Sequence, residues 1–422
     1  MNINWNNHFQ VQKLIENFSL RLLKISSITS NSIGIKKAFY ELEKICEELG
    51  FCYDYQANGM IMRITNNPIN FNINCRLALI CHIDTVEFDV SKWTHNPLGE
   101  IKYGRIFGRG IIDDKGAIVL SLLSAKACED HIHKPWIIIV GSSEEGIWLD
   151  METYRAENHP IPDYATTIDG DGVQAGCRGT ANVLFSFKRQ CSNGNLLKKI
   201  CIPGKANNII PGNAIAIFSD GMQISSSGKA CHSSIPQNGD NALISLSKMI
   251  ESDCYKQFPN FFTLMKNFEN YTLSNFQGSV SPTTCQIHDN LLTVNLNFRL
   301  PIGTHQKDFL DFLSKLASKY SAKFEISNLI MPGFMDINSP MIKSQLRAYK
   351  QVIGSTTTAT VAPGTGYNSA FEAKYGCNIF GPRFALKDDE EDLCHSDNEN
   401  RSIDDLLKFY QMLCIFMKDF LS

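Results

Sequence analysis

The sequence has no CxxC pair, no internal repeat, no heptad run and no low-complexity linker. Its 14 cysteines are scattered singly from Cys46 to Cys414. A structural zinc site built on cysteine needs short paired spacings, so that class is excluded. Several cysteines, Cys75 and Cys81 among them, sit in apolar runs and read as reduced thiols packed as small hydrophobes. Strong charge of one sign is also missing. The 40 Lys and Arg meet 43 Asp and Glu for a net charge of −3, which leaves no electrostatic footprint for nucleic acid. No apolar run approaches the ~18 residues that cross a bilayer; Trp136 to Val140 is among the densest. The start, MNINWNNHFQVQKL, lacks a basic region followed by an apolar stretch. No signal peptide and no membrane partner are expected, and a cytoplasmic protein is.

What is present suits a globular α/β chain. At ~100–200 residues per domain, 422 residues point to two or three domains. Residues 9–27 and 34–50 carry apolar positions at helical spacing, the second run ending at Gly50. Strand-like runs follow at Gly59–Ile64 and Arg76–Cys81, then a helical segment from Ala117 to Glu129 and the strand Trp136 to Val140. The second run is apolar on both faces, as in a covered parallel sheet. After about Gly172 the pattern turns β-rich, with Val183–Arg189, Asn213–Ser219 and Thr293–Phe298, and with helices expected at Asn241–Ile250 and Tyr255–Asn267. Near Met331 the first texture returns: a helix at Ser339–Ile353, a strand at Cys377–Phe380 and an amphipathic helix from Ile403 to Leu421. The expected organisation is a catalytic α/β domain of residues 1–172 and 331–422, with 173–330 inserted as an α+β domain.

Four clusters at strand ends could carry chemistry. His82 and Asp84 alternate after the run RLALI and share a face. Asp113 and Asp114 lie in GRGIIDDKG at a helix start, where an ordinary acidic cap is the plain alternative. Glu144 and Glu145 follow WIIIV directly; adjacent carboxylates in an extended loop point apart, so one can hold a metal while the other serves as a base. A solvated acidic turn is the alternative there. Asp169 ends TTID, and His395 stands in LCHS. Taken together, these are histidines and carboxylates in order at the strand ends of one domain. Such donors suit zinc, manganese or cobalt in a two-metal site, with ions ~3.5–4 Å apart and one bridging carboxylate.

The sequence resembles the co-catalytic metallopeptidase family of aminoacylase, carboxypeptidase G and succinyl-diaminopimelate desuccinylase. It looks most like the dipeptidase V and carnosinase-like branch. The matching stretches are CHIDTV, the Trp93 of SKWTHNPLGE, YGRIFGRGIIDDKG, SSEEG, PDYATTIDGDG, KANNIIPGNA, HSSIPQNGDNA, FRLPIG and HSDNENRSIDDLL, in order from about residue 80 to 407. The resemblance implies a zinc-peptidase-like catalytic domain, its mixed sheet flanked by helices, and a lid or dimerisation domain at 173–330. It implies two divalent ions, zinc first, with manganese or cobalt as alternatives. His82, Asp113 and Asp169 would hold one ion, and Asp113, Glu145 and His395 the other. Asp84 would hydrogen-bond His82, and Glu144 would take the proton of a metal-bridging water and pass it to the leaving amine. From the inserted domain, His232 would stabilise the oxyanion, while Asn208 and Arg299 would hold the substrate's carboxylate. A cis peptide between Asp113 and Asp114 is implied as well.

Two positions depart from the family pattern. Where the dipeptidase branch carries a GGTYAR-like segment, this chain reads Ala362-Pro363-Gly364-Thr365-Gly366-Tyr367-Asn368-Ser369, with Asn368 nearest the missing arginine. Asn297 stands where the family often has aspartate before FRLP. The expected activity is metal-dependent hydrolysis of a dipeptide, with N-acyl amino acid deacylation as the alternative and a non-catalytic binding relic as a different class. The expected partner is a small peptide or N-acyl amino acid, with the protein a monomer or homodimer.

Overall fold

The computed structural model describes residues 3–5, 7–192, 194–204, 206–250, 255–269, 271–273, 276–383 and 393–422. The chain divides into two compact units. The first comprises Met1–Cys177, Gly333–Ala362 and Gly366–Ser422, and the second Arg178–Pro332 with Pro363–Thr365. The boundary expected after residue 172 falls inside the strand Asp171–Cys177. That strand still pairs with Cys377–Pro382 and Thr360–Ala362, so the first unit runs on to Cys177.

The first unit is built on an eight-stranded mixed sheet. Its order is Cys52–Gln56, Ile61–Thr65, Trp136–Gly141, Leu77–His82, Tyr164–Thr167, Cys377–Pro382, Asp171–Cys177 and Thr360–Ala362. Period-2 alternation assigns the side chains of the central strands to two faces. Leu77, Leu79, Cys81, Trp136, Ile138 and Val140 join one buried cluster with the helices His8–Leu23, Ser32–Leu49, Lys115–Cys128, Pro340–Ile353 and Ile403–Leu421. Ala78, Ile80, Ile137 and Ile139 join another with Met151 and Tyr154 of the helix Leu149–Ala156, and with Tyr367 and Phe371. Each buried aliphatic side chain contributes roughly 1.5–3 kcal/mol relative to exposure.

Helix ends follow local chemistry. Asn31 accepts from Gly34 N to start Ser32–Leu49, and Gly50 ends it with φ 75°, a left-handed conformation that glycine adopts without penalty. Ser402 accepts from Asp405 N at 3.0 Å to start Ile403–Leu421. Arg21 ties the first two helices, reaching Glu41 at 2.6 Å and Glu48 at 2.8 Å. Cys177 N donates to Gly333 O at 2.9 Å and Met335 N to Ala175 O at 2.8 Å, so the chain leaves and returns on neighbouring backbones.

The second unit has a four-stranded antiparallel sheet in the order Ser279–His288, Leu291–Leu300, Gly179–Lys188 and Lys323–Ile330. Phe185, Phe187, Phe298, Phe309 and Leu313 anchor its own core. The helix expected over Tyr255–Asn267 is split into a 3-10 turn, Tyr255–Gln257, and the helix Pro259–Lys266. Proline lacks the N–H that an interior helix position needs, so Pro259 begins a new helix. Among the described residues the cysteines are free thiols; Cys254 lies outside them. No helix among those residues is long and apolar enough to cross a membrane.

Candidate metal centre

Three parallel strands place the first donors. Leu77–His82 lies between Trp136–Gly141 and Tyr164–Thr167, with Ile80 opposite both Ile139 and Thr167. Their carboxyl ends therefore open on one edge of the sheet, the edge where α/β folds gather ligands. His82 closes the middle strand, Ser142 to Glu145 follow the second, and Asp169 lies just beyond the third.

The turn before the helix Lys115–Cys128 brings Asp113. Gly110 adopts φ 98°, a region that side chains resist. At Gly116 a Cβ would lie 2.1 Å from Ile111 O, so the close return of the chain requires glycine there. The Asp113–Asp114 peptide is cis. Glu399 fixes this turn. Its carboxylate accepts from Gly110 N, Ile112 N at 2.8 Å and Asp113 N, and from Arg109 Nη1 at 2.7 Å, all buried.

Asp113 divides its oxygens between two histidines. Oδ1 lies 2.8 Å from His82 Nε2, and Oδ2 lies 3.0 Å from His395 Nε2. His395 Nε2 is also 2.7 Å from Glu145 Oε1. His395 has φ 61°, uncommon for a non-glycine residue. Candidate ligand atoms of His82, Asp113 and Asp169 lie within 4.8 Å of one another, and so do those of Asp113, Cys394 and His395. Asp84 is fully buried and ties the neighbouring loop: Oδ1 accepts from Glu144 N and Oδ2 from Glu145 N, both at 3.2 Å, and Thr29 Oγ1 donates at 2.7 Å. His82 Nδ1 faces the Asp84 backbone oxygen at 3.0 Å and its carboxylate at 3.3 Å. Holding the Glu144–Glu145 backbone is thus a second task for Asp84, one that the spacing HxD gives no sign of.

Charge at this centre is strongly coupled. Burial pushes the Glu144 carboxyl well above its ordinary range, and Glu145, Asp169 and Asp113 add to that push against His82. Burial likewise raises Glu145 and Asp169. Burial also works against ionised Asp113, yet the His395 and His82 hydrogen bonds hold it well below the carboxylate range. Against burial, Asp113 and Glu145 push His395 up to about 10. So many carboxylates in one buried place need positive charge. The Glu145–His395 contact lacks hydrogen-bond geometry, which leaves Glu145 Oε1 without such a partner among the described residues, where Asp114 Oδ1 has none either. The donor set and these orphaned oxygens fit divalent cations.

Sequence reasoning passed over several contributors. Arg383 Nη2 stands 3.7 Å from Asp169 Oδ1, and its Nε donates to Asp171 Oδ1 at 3.0 Å. Cys394 Sγ lies 3.0 Å from Asp113 Oδ2. Asp150 accepts from Ser142 N at 2.6 Å, from Ser143 N at 3.0 Å and from the Tyr367 hydroxyl, and so braces the loop that carries Glu144. Glu399 sits within the quoted HSDNENRSIDDLL, where its spacing from His395 was the available signal.

The three residues expected from the inserted segment lie in the second unit, where Asn208 and His232 touch and Arg299 reaches Ser233. Asn208 Nδ2 is 3.3 Å from His232 Nε2, and Ile209 pairs with His232 across two short strands. His232 Nδ1 contacts Ser234 Oγ at 2.6 Å. Arg299 is 4% exposed, and its Nη2 donates to Ser233 Oγ at 2.9 Å, while its Nε has no hydrogen-bond partner among the described residues.

Histidines and carboxylates gathered around one shared aspartate are the equipment of a metallohydrolase. The chain belongs to peptidase family M20/M25/M40, whose profile matches residues 78–419. It is similar to an uncharacterized metallohydrolase of Methanocaldococcus jannaschii, at 26% identity over 388 residues and 82% of each chain. It is also similar to the Beta-Ala-Xaa dipeptidase of Lactobacillus delbrueckii subsp. lactis, at 23% identity over 382 residues and 79% of each. The solved structure of an M20 family metallo-carboxypeptidase from Sulfolobus solfataricus shares the fold, with a TM-score of 0.61 at 16% identity over 96% of this chain and 99% of that one. The protein is a metal-dependent hydrolase of peptide bonds.

Proposed function

We propose that the protein is a dipeptidase that works with two divalent cations, zinc first among them. The observation that carries this reading is Asp113, one oxygen against His82 and the other against His395. His82, Asp113 and Asp169 would hold one ion, and Asp113, Glu145 and His395 the other. Cations bound there supply Lewis acidity and a water acidic enough to attack an amide near neutral pH. Glu144 would take the proton of that water and deliver it to the leaving amine. Asp84 orients His82 and fixes the backbone of Glu144 and Glu145.

From the second unit, His232 would steady the oxyanion, and Asn208 and Arg299 would bind the substrate's carboxylate. What supports this is a buried guanidinium whose hydrogen-bonding is incomplete without an anion. Asn368 favours a second reading, an N-acyl amino acid deacylase. The residue is 3% exposed, neither polar atom of its side chain is hydrogen-bonded among the described residues, and it stands where the dipeptidase branch carries arginine.

The test is hydrolysis of a panel of free-amine dipeptides beside N-acetyl and N-succinyl amino acids by zinc-loaded protein, with Glu144→Ala as control. Dipeptide turnover that falls by roughly 10²–10⁴ in Glu144→Ala, with bound metal unchanged, is expected. Equal rates in parent and variant would sink the assignment of Glu144. Turnover of acylated amino acids alone would replace the dipeptidase reading by the deacylase one.

A further inference from the structure

We propose that Cys394 is a thiolate ligand for the cation on the His395 side of the centre, added to Asp113, Glu145 and His395. The inference rests on the two-cation reading above. The oxygen of Asp113 that faces His395 Nε2 at 3.0 Å is the same one that Cys394 Sγ approaches at 3.0 Å. Ligand atoms of Asp113, Cys394 and His395 all lie within 4.8 Å of one another, so one ion could touch all three. Successive side chains of an extended strand point to opposite faces. His395 instead takes φ 61°, and this bend lets two adjacent residues converge on one carboxylate oxygen.

An independent feature points to the same place. The Glu145 side chain is 7% exposed, and its Oε1, 2.7 Å from His395 Nε2, makes no hydrogen bond of proper geometry among the described residues. A cation there would satisfy that oxygen and the sulfur together. Binding would release the thiol proton to solvent. A soft sulfur donor in an otherwise nitrogen and oxygen set favours zinc over manganese.

The test is titration of the metal-free full-length protein with Co²⁺, read by absorption and by counting bound metal. The parent is expected to take up two equivalents, with a near-ultraviolet thiolate-to-cobalt charge-transfer band belonging to one of them. Cys394→Ser is expected to lack the band while still binding cobalt, and its preference for zinc over manganese is expected to fall roughly tenfold or more. Cobalt bound without the band, a band that survives in Cys394→Ser, or an unchanged metal preference overturns the thiolate ligand and leaves the two-cation reading standing. A parent that binds no cobalt overturns both. X-ray absorption of the zinc-loaded parent needs no variant: a sulfur at ~2.3 Å from zinc is expected, and a shell of nitrogen and oxygen alone overturns the proposal.

Discussion

Arg299 shows what a single buried side chain can commit a protein to. A guanidinium whose Nη2 reaches Ser233 Oγ and whose Nε has no hydrogen-bond partner among the described residues is costly to bury unless an anion completes it. If that anion is the substrate's carboxylate, Arg299→Ala should raise KM by roughly 10–150-fold, the equivalent of the ~1.5–3 kcal/mol of a charged hydrogen bond, with kcat much less affected. Arg299→Lys should rescue little, since an ammonium cannot present two parallel donors. Steady-state kinetics on a good dipeptide would decide it, and a KM within twofold of the parent would remove Arg299 from substrate binding. At this scale the sequence was informative where residues stand in short ordered motifs, as with His82, Asp113 and Glu145. It was silent on Arg383 and Cys394, whose contacts with Asp169 and Asp113 arise only when distant segments fold together.

Among the elements, the turn that carries Asp113 and the loop that carries His395 are bound by one carboxylate. Glu399 takes three backbone N–H groups and Arg109, so its loss loosens both sides of the centre at once. Glu399→Gln should weaken metal binding by roughly 10–100-fold, as loss of outer contacts to ligands commonly does. Isothermal titration of the metal-free protein with zinc would measure this, and unchanged affinity would count against the clamp.

The helix pair His8–Leu23 and Ser32–Leu49 offers a pH test. Against the upward push of burial, Arg21 and then Lys44 hold Glu41 below its ordinary value of 4.5. A folded-state value below that of the unfolded chain contributes stability above about pH 4.5, and the contribution fades as acid protonates Glu41. Surface-type pairs are worth ~0–1 kcal/mol, so Glu41→Gln should melt about 1–3 °C lower at neutral pH and converge with the parent only as acid takes the pH through the lowered folded value of Glu41. A gap that persists in acid would contradict the linkage.

Elements were legible where periodicity and end signals agree, as in Ile403–Leu421 with its Ser402 cap. Helical spacing runs on past Pro259, whereas the helix begins anew there because proline has no N–H to give. The amphipathic helix Gln306–Lys319 lacks a start signal, for His305, before it, forms no side-chain cap.

Over the whole molecule, stability resides in three buried clusters, two on the sheet of the first unit and one in the second. Every donor of the candidate metal centre belongs to the first unit. A cation at ~1,000 times its dissociation constant adds ~4 kcal/mol to the unit that binds it. Calorimetry before and after chelation should therefore show the first unit's transition move down by several degrees, the second unit's staying in place. A chelator that shifts neither would argue against a resident cation.

The backbone hydrogen bond from Cys177 to Gly333 has a wider consequence. It closes the sheet-bearing unit on itself at the point where the polypeptide departs, so everything from Arg178 to Pro332 hangs as a side branch whose two roots are adjacent. A branch rooted in this way can be lengthened, exchanged or redesigned in descent without rethreading the trunk. The part that would recognise a substrate is therefore free to diverge while the part that would hold the cations keeps its register.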